Sequence, residues 1–195
     1  MHKRISLYLV SLLTVWGIIG MSLPATVLAD SSRLSKHLAS LRMVPTLQAN
    51  VPVRLKIPAI GVDAAIETVG QTQTGSMDVP ADARNVAWYK LGLAPGDSGN
   101  AVISGHLDDK KGPTVFWKLG KLKVGDKVTV IDNTGSERVF AVIAKEAYAF
   151  DKAPINKIFG FDLEHDLNLI TCGGQWNPKT HNYSQRLVVY TRLIR

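Results

Sequence analysis

Disulfide bonding within the chain is excluded by its single cysteine, Cys172. A cysteine-ligated zinc finger and an iron–sulfur cluster, which need several thiolates, are excluded with it. Strong charge of either sign is also lacking: Lys and Arg total 23 against 16 Asp and Glu, and charged residues make up only 20%. Residues 1–29 contain Lys3 and Arg4 and no acid, which leaves 21 basic against 16 acidic side chains, a net +5, from Asp30 onward. That balance is far from one that coats nucleic acid, so no nucleic-acid partner is expected. The chain has no internal repeat and no low-complexity segment. Beyond residue 45 it shows no long 3.6-residue apolar periodicity, which argues against a mainly helical fold. Its 195 residues suit one domain with an appendage.

What the chain does have, at its N-terminus, is a charge-free run. His2-Lys3-Arg4 precede residues 5–29, 25 positions without a charge. Roughly 20 apolar residues span a bilayer as a helix, and basic residues on the N-terminal side keep that side cytoplasmic. Residues 1–29 are therefore expected to be a membrane anchor with the rest of the chain outside the membrane. The alternative is a cleavable signal segment cut after Ala29, given Pro24 and the small residues before Asp30. The length of the run favours the anchor, and both readings put the domain on the outer side. Residues 30–51 read as a juxtamembrane spacer, with Leu34, Leu38 and Leu41 spaced for a short helix.

From residue 52 to 195 short Val- and Ile-rich runs alternate with turn clusters. Candidate strands cover 53–57, 64–69, 101–104, 127–131, 138–148, 167–171 and 186–193. Asn133-Thr134-Gly135 reads as a hairpin turn. Many short strands in one block make the domain mainly β, a barrel or a sandwich. Lys110, Lys111, Lys118, Lys121, Lys123 and Lys127, interleaved with acids, read as a solvated face.

Three residues carry chemistry. Cys172 stands where the strand 167–171 runs into Gly173-Gly174, a pattern that exposes a side chain at a rim. A lone thiol is by default a small buried apolar residue. An unpaired one in an extracytoplasmic loop reads instead as a nucleophile. His106 ends the run 101–105 and is the acid/base candidate. Arg186 opens the last strand, with Val188 and Tyr190 on the same face by alternation, and suits a developing oxyanion.

Taken together, Val102-Ile103-Ser104-Gly105-His106, Leu169-Ile170-Thr171-Cys172-Gly173-Gly174 and Arg186-Leu187-Val188-Val189-Tyr190 resemble the three signatures of sortases, the cysteine transpeptidases of bacterial cell surfaces. The flanks Arg54-Leu55-Lys56-Ile57-Pro58-Ala59-Ile60-Gly61-Val62 and Val86-Ala87-Trp88-Tyr89, with Cys172-Gly173-Gly174, look most similar to the class F branch. The resemblance implies an eight-stranded β-barrel with short helices behind an N-terminal transmembrane helix. His106, Cys172 and Arg186 would be catalytic, and Thr171, Gly173 and Gly174 would bind substrate or support the site. It implies as partners surface proteins bearing a C-terminal sorting motif of the Leu-Pro-X-Thr-Gly kind. These would be cut after Thr through a thioester and passed to an amine on a wall precursor or another protein. It implies membrane attachment through the N-terminal helix, and no cofactor. No metal site is expected either, although Asp108-Asp109 and Glu164-His165-Asp166 have the look of one.

Asn168 stands where the family usually has threonine, a departure that bears on motif preference. Leu23-Pro24-Ala25-Thr26 resembles a sorting motif but lies in the apolar run and is followed by Val27 rather than glycine. The rival enzyme class is the L,D-transpeptidases, which place His two residues before Cys, where this chain has Ile170. The rival of another kind is a non-catalytic β-domain binding wall polymer through its lysines.

Overall fold

The computed structural model describes residues 50–195. The anchor or signal segment, nearly all of the spacer and the Leu23-Pro24-Ala25-Thr26 stretch lie outside the described residues. Among the described residues no helix is long and apolar enough to cross a membrane.

Among the described residues ten strands follow in chain order: β1 (Pro52–Ile57), β2 (Val62–Val69), β3 (Val86–Tyr89), β4 (Gly99–Gly105), β5 (Asp108–Asp109), β6 (Gly112–Pro113), β7 (Lys127–Asp132), β8 (Glu137–Ala149), β9 (His165–Asn177) and β10 (Asn182–Leu193). Eight of them close into a barrel in the order β1-β2-β3-β4-β9-β10-β8-β7, while β5 and β6 form a separate small hairpin. The pairs β2–β3 and β4–β9 are parallel and the other barrel pairs antiparallel. Among the described residues helical structure is limited to α1 (Ile155–Phe159) and two 3-10 turns at Pro58–Ile60 and Leu119–Lys121. The mainly β, eight-stranded barrel expected from the resemblance is thus present.

Alternation explains how the barrel fills. Leu55, Ile57, Val128, Val130, Leu167, Leu169 and Val189 project inward and are fully or almost fully buried. Phe116, Leu119 and Leu122 pack into the same core. Each such side chain contributes about 1.5–3 kcal/mol relative to exposure. The wall formed by β4, β9 and β10 is buried on both faces. Its outward residues Val102, Val188 and Tyr190 form a second cluster with Ile158 of α1. That double burial is why Val102-Ile103 and Leu167-Asn168-Leu169 read as continuous rather than alternating runs.

The expected hairpin turn joins β7 to β8. The Asp132 carboxylate accepts from the backbone N–H groups of Thr134 and Ser136 and from the Arg138 guanidinium, and Gly135 takes φ 85. The six lysines between 110 and 127 are all exposed, as a solvated face requires.

Three barrel strands differ from the sequence reading. β3 was absent from the candidate strands, because four residues buried on almost every side offer no alternation to recognise. β9 does not end at Thr171 but continues through Cys172 and both glycines to Asn177, and β10 begins four residues before Arg186. The β9–β10 ladder runs from Asn177 opposite Asn182 to Asp166 opposite Arg192, and its cross-strand hydrogen bonds outweigh the weak strand preference of two glycines.

Candidate active site

Register brings the three sequence-predicted residues together. Cys172 in β9 stands directly opposite Arg186 in β10. On the other side of β9, Ser104 of β4 pairs with Ile170, so the chain leaving β4 delivers His106 beside Cys172. The outward faces of these strands therefore form rows: Val102–Asn168–Tyr190, then Ser104–Ile170–Val188, then the level of His106, Cys172 and Arg186.

Inward-facing groups lock that arrangement. Thr171, buried in the wall, donates its hydroxyl to the Gly105 carbonyl at 2.8 Å, tying the strand of Cys172 to the residue before His106. A side chain at Gly105 would place its Cβ 2.6 Å from Cδ2 of the fully buried Phe116, so this position tolerates only glycine. The His106 carbonyl accepts from the Thr114 hydroxyl at 2.8 Å and from the Phe116 N–H at 3.0 Å. The ring Nε2 of His106 lies 3.1 Å from the Pro80 carbonyl, an acceptor only, so Nε2 carries the proton and donates.

Arg186 is held by three acceptors. Its Nη1 donates to the carbonyls of Tyr183 and Gln185 at 3.2 and 2.9 Å, and its Nη2 to Asn182 Oδ1 at 2.8 Å. Phe150 packs against the guanidinium, 6.0 Å from ring centre to Cζ. Gly173 has room for a side chain, whereas Gly174 takes φ +76 with a Cβ position 2.3 Å from Ser184 Oγ. Neither glycine lines a cavity beside the thiol; Thr171 does.

Two grooves meet at His106, Cys172 and Asn182. The smaller, about 670 Å³, runs over Ile170 and Val188 and is walled by Met77, Tyr89, Ile155 and Phe159. The larger, about 1460 Å³, is lined by Asp82, Asp108, Lys110, Trp176 and Tyr183. In it the Tyr183 hydroxyl donates to Asp108 Oδ2 at 2.5 Å, and that carboxylate with burial pushes the phenol up to about 12. Trp176 packs on Tyr183 with ring centres 5.2 Å apart.

Asn182, Tyr183 and Pro80 were not singled out from the sequence; Asn182 and Tyr183 reach the site through the start of β10 and Pro80 through the stretch between β2 and β3, neither of which carries a local signature. Two of the acids with a metal-like spacing have protein partners. Asp108 takes the tyrosine, and Asp166 is held by Arg192 at 2.9 and 3.1 Å.

The half-buried thiol departs from a simple activated cysteine. Burial pushes it above the ordinary thiol value; the Arg186 charge pulls it down, Asp108 pushes it further up, and burial wins. At neutral pH Cys172 is therefore mostly protonated. Alkylation by iodoacetamide, specific here because no other cysteine exists, is expected to climb on the alkaline side of about 8.5, the ordinary cysteine value. Asp108→Asn removes an anion that disfavours thiolate and shifts the pH–rate profile down; Arg186→Ala shifts it up. A wild-type profile centred below 8.5 contradicts this balance.

A closed β-barrel presenting thiol, imidazole and guanidinium at one level across adjoining strands, where two grooves meet, defines a β-barrel protein with a cysteine-centred site. The sortase-domain family model matches residues 55–194, and the chain belongs to the sortase family, whose members are cysteine transpeptidases. The L,D-transpeptidase alternative is thereby set aside. Solved structures agree on the fold. Sortase C1 from Streptococcus suis is 16% identical with a TM-score of 0.57, over 92% of this chain and 89% of that one. Sortase A from Corynebacterium diphtheriae is 23% identical with a TM-score of 0.57, over 82% and 69%. Sortase A from Listeria monocytogenes is 18% identical with a TM-score of 0.54, over 76% and 89%. No curated protein matches the chain.

Proposed function

We propose that this sortase acts at the outer surface of a bacterial membrane, cutting a C-terminal sorting signal of the Leu-Pro-X-Thr-Gly kind after threonine and transferring the product to an amine. The observation that carries the reading is the meeting, at Cys172 and His106, of an apolar groove with a larger one that carries charged side chains such as Asp82, Asp108 and Lys110. An extended peptide with apolar residues ahead of its scissile bond suits the smaller groove, and an approaching amine suits the larger one.

Cys172 Sγ attacks the threonine carbonyl as its proton leaves to His106. The raised thiol value favours such coupled transfer over a standing thiolate. Arg186, with Nε–H and one Nη2–H beyond its three tethers, stabilises the oxyanion or holds the substrate carbonyl. As the carbon–nitrogen bond breaks, His106 protonates the departing amine and the thioester remains. The acceptor amine then loses a proton to His106 and attacks the thioester carbon, and the departing Cys172 sulfur takes that proton back from His106 to restore the thiol. The Arg54–Val62 and Val86–Tyr89 stretches support placement in the class F branch.

The test is incubation of the detergent-solubilised full chain with sorting-motif peptides and candidate amines, read by mass spectrometry. Amide products joined at threonine are expected; a panel without any cleavage sinks the reading. Residues 1–29 are expected to hold the chain in membranes through a carbonate wash, and a soluble form beginning at Asp30 would show cleavage instead.

A further inference from the structure

Two buried side-chain atoms lack a hydrogen-bond partner among the described residues: Ser104 Oγ and Asn168 Oδ1. Their settings differ. Asn168 is locked by its amide nitrogen to Asn100 and to the Ile158 carbonyl, and it lines neither groove. Ser104, only 9% exposed, lines the smaller groove in the row next to Cys172, beside Ile170 and Val188. An unpaired hydroxyl at such depth is costly, and proteins seldom retain one without a use for it.

A substrate main chain has the complementary need. A peptide lying in this groove carries N–H and C=O groups that Ile170, Val188, Ile158 and Phe159 cannot satisfy. A serine hydroxyl donates and accepts, so it can meet either group. Ser104 is two residues before His106, about 6.6 Å along an extended chain, and an extended substrate covers the same distance in two residues.

We propose that Ser104 is a substrate-binding contact of the apolar groove. Its hydroxyl hydrogen-bonds the peptide main chain within about two residues upstream of the scissile bond. This rests on the sortase reading given above and adds to it a residue that recognises backbone irrespective of side chain.

The test is steady-state cleavage by the full wild-type chain and its Ser104→Ala variant, over peptides differing at the residue before threonine. KM is expected to rise roughly 3- to 10-fold, the range for losing one neutral hydrogen bond, with kcat nearly unchanged. The same factor should appear for every side chain tested. The thermal midpoint of the free variant should hold or rise, because the substitution deletes an unpaired buried hydroxyl. A KM change under twofold overturns the contact, and so does a factor that follows the varied side chain. A lowered midpoint with unchanged KM assigns the serine a structural role and overturns it too. Absence of wild-type cleavage overturns the sortase-substrate reading itself, which separates that failure from a failure at Ser104.

Discussion

Cys172→Ala is expected to remove all detectable cleavage of a sorting-motif peptide while leaving the melting temperature within a few degrees of wild type. The chain has one thiol, and neither neighbour at its level can replace it. His106 is tethered to the Pro80 carbonyl, and Arg186 cannot act as a nucleophile. The structural cost is small because the side chain is half-buried at the junction of two grooves, outside both apolar clusters. Removing one sulfur there leaves no enclosed void of the kind that makes core truncations cost 2–5 kcal/mol. Mass spectrometry of the wild-type protein, quenched during turnover without added amine, should find the peptide acyl group on Cys172. Residual turnover in the alanine variant would rule out the cysteine mechanism, and loss of folding would make Cys172 a packing residue.

His106→Ala and Arg186→Ala are each expected to slow acylation severely, by separable routes. Loss of the imidazole removes the proton acceptor and donor, worth roughly 10²–10⁴ in rate. Loss of the guanidinium should cost on the order of 10²–10³, as for other oxyanion donors. Arg186→Lys should recover little. The three tethers to Tyr183, Gln185 and Asn182 use a planar fork, and an ammonium cannot hold them while presenting further donors to the groove. Arg186 also pulls the thiol down against burial, so part of its loss is a smaller thiolate fraction. Iodoacetamide alkylation measures that part alone. If acylation falls no further than alkylation does, Arg186 serves only the thiol; a much larger fall assigns it to the transition state. The double variant should lose less than the product of the single losses, because both groups serve one thioester-forming step.

His106, Cys172 and Arg186 were chosen together from the sequence because three short runs jointly resemble one family's signatures. Those runs are 102–106, 169–174 and 186–190. The β class followed from Val- and Ile-rich segments between turn residues, and the β7–β8 hairpin from Asn133-Thr134-Gly135. The resemblance, rather than the segment pattern, led to eight strands, since the pattern alone offered seven.

What the local pattern could not carry was anything decided by pairing between distant segments. Gly173 and Gly174 look like the start of a loop until β10 pairs Gln185 with Gly173 and carries the ladder past an irregularity at Gly174 to Trp176. Ile170 and Val188 look like ordinary core positions until the barrel turns them outward as a groove floor under α1. The parallel β4–β9 pair joins Ser104 to Ile170, 66 positions apart, and only that register sets His106 beside Cys172 and leaves the Ser104 hydroxyl unpaired in the groove. The balance at the thiol is likewise tertiary, for burial, Arg186 and Asp108 act on it from different strands. The sequence by itself determined which chemical groups the protein has and that its chain forms short β-strands, because residue type and alternation are local properties. Tertiary structure alone decided which of those groups meet and how far water is excluded from them, because both depend on long-range strand pairing.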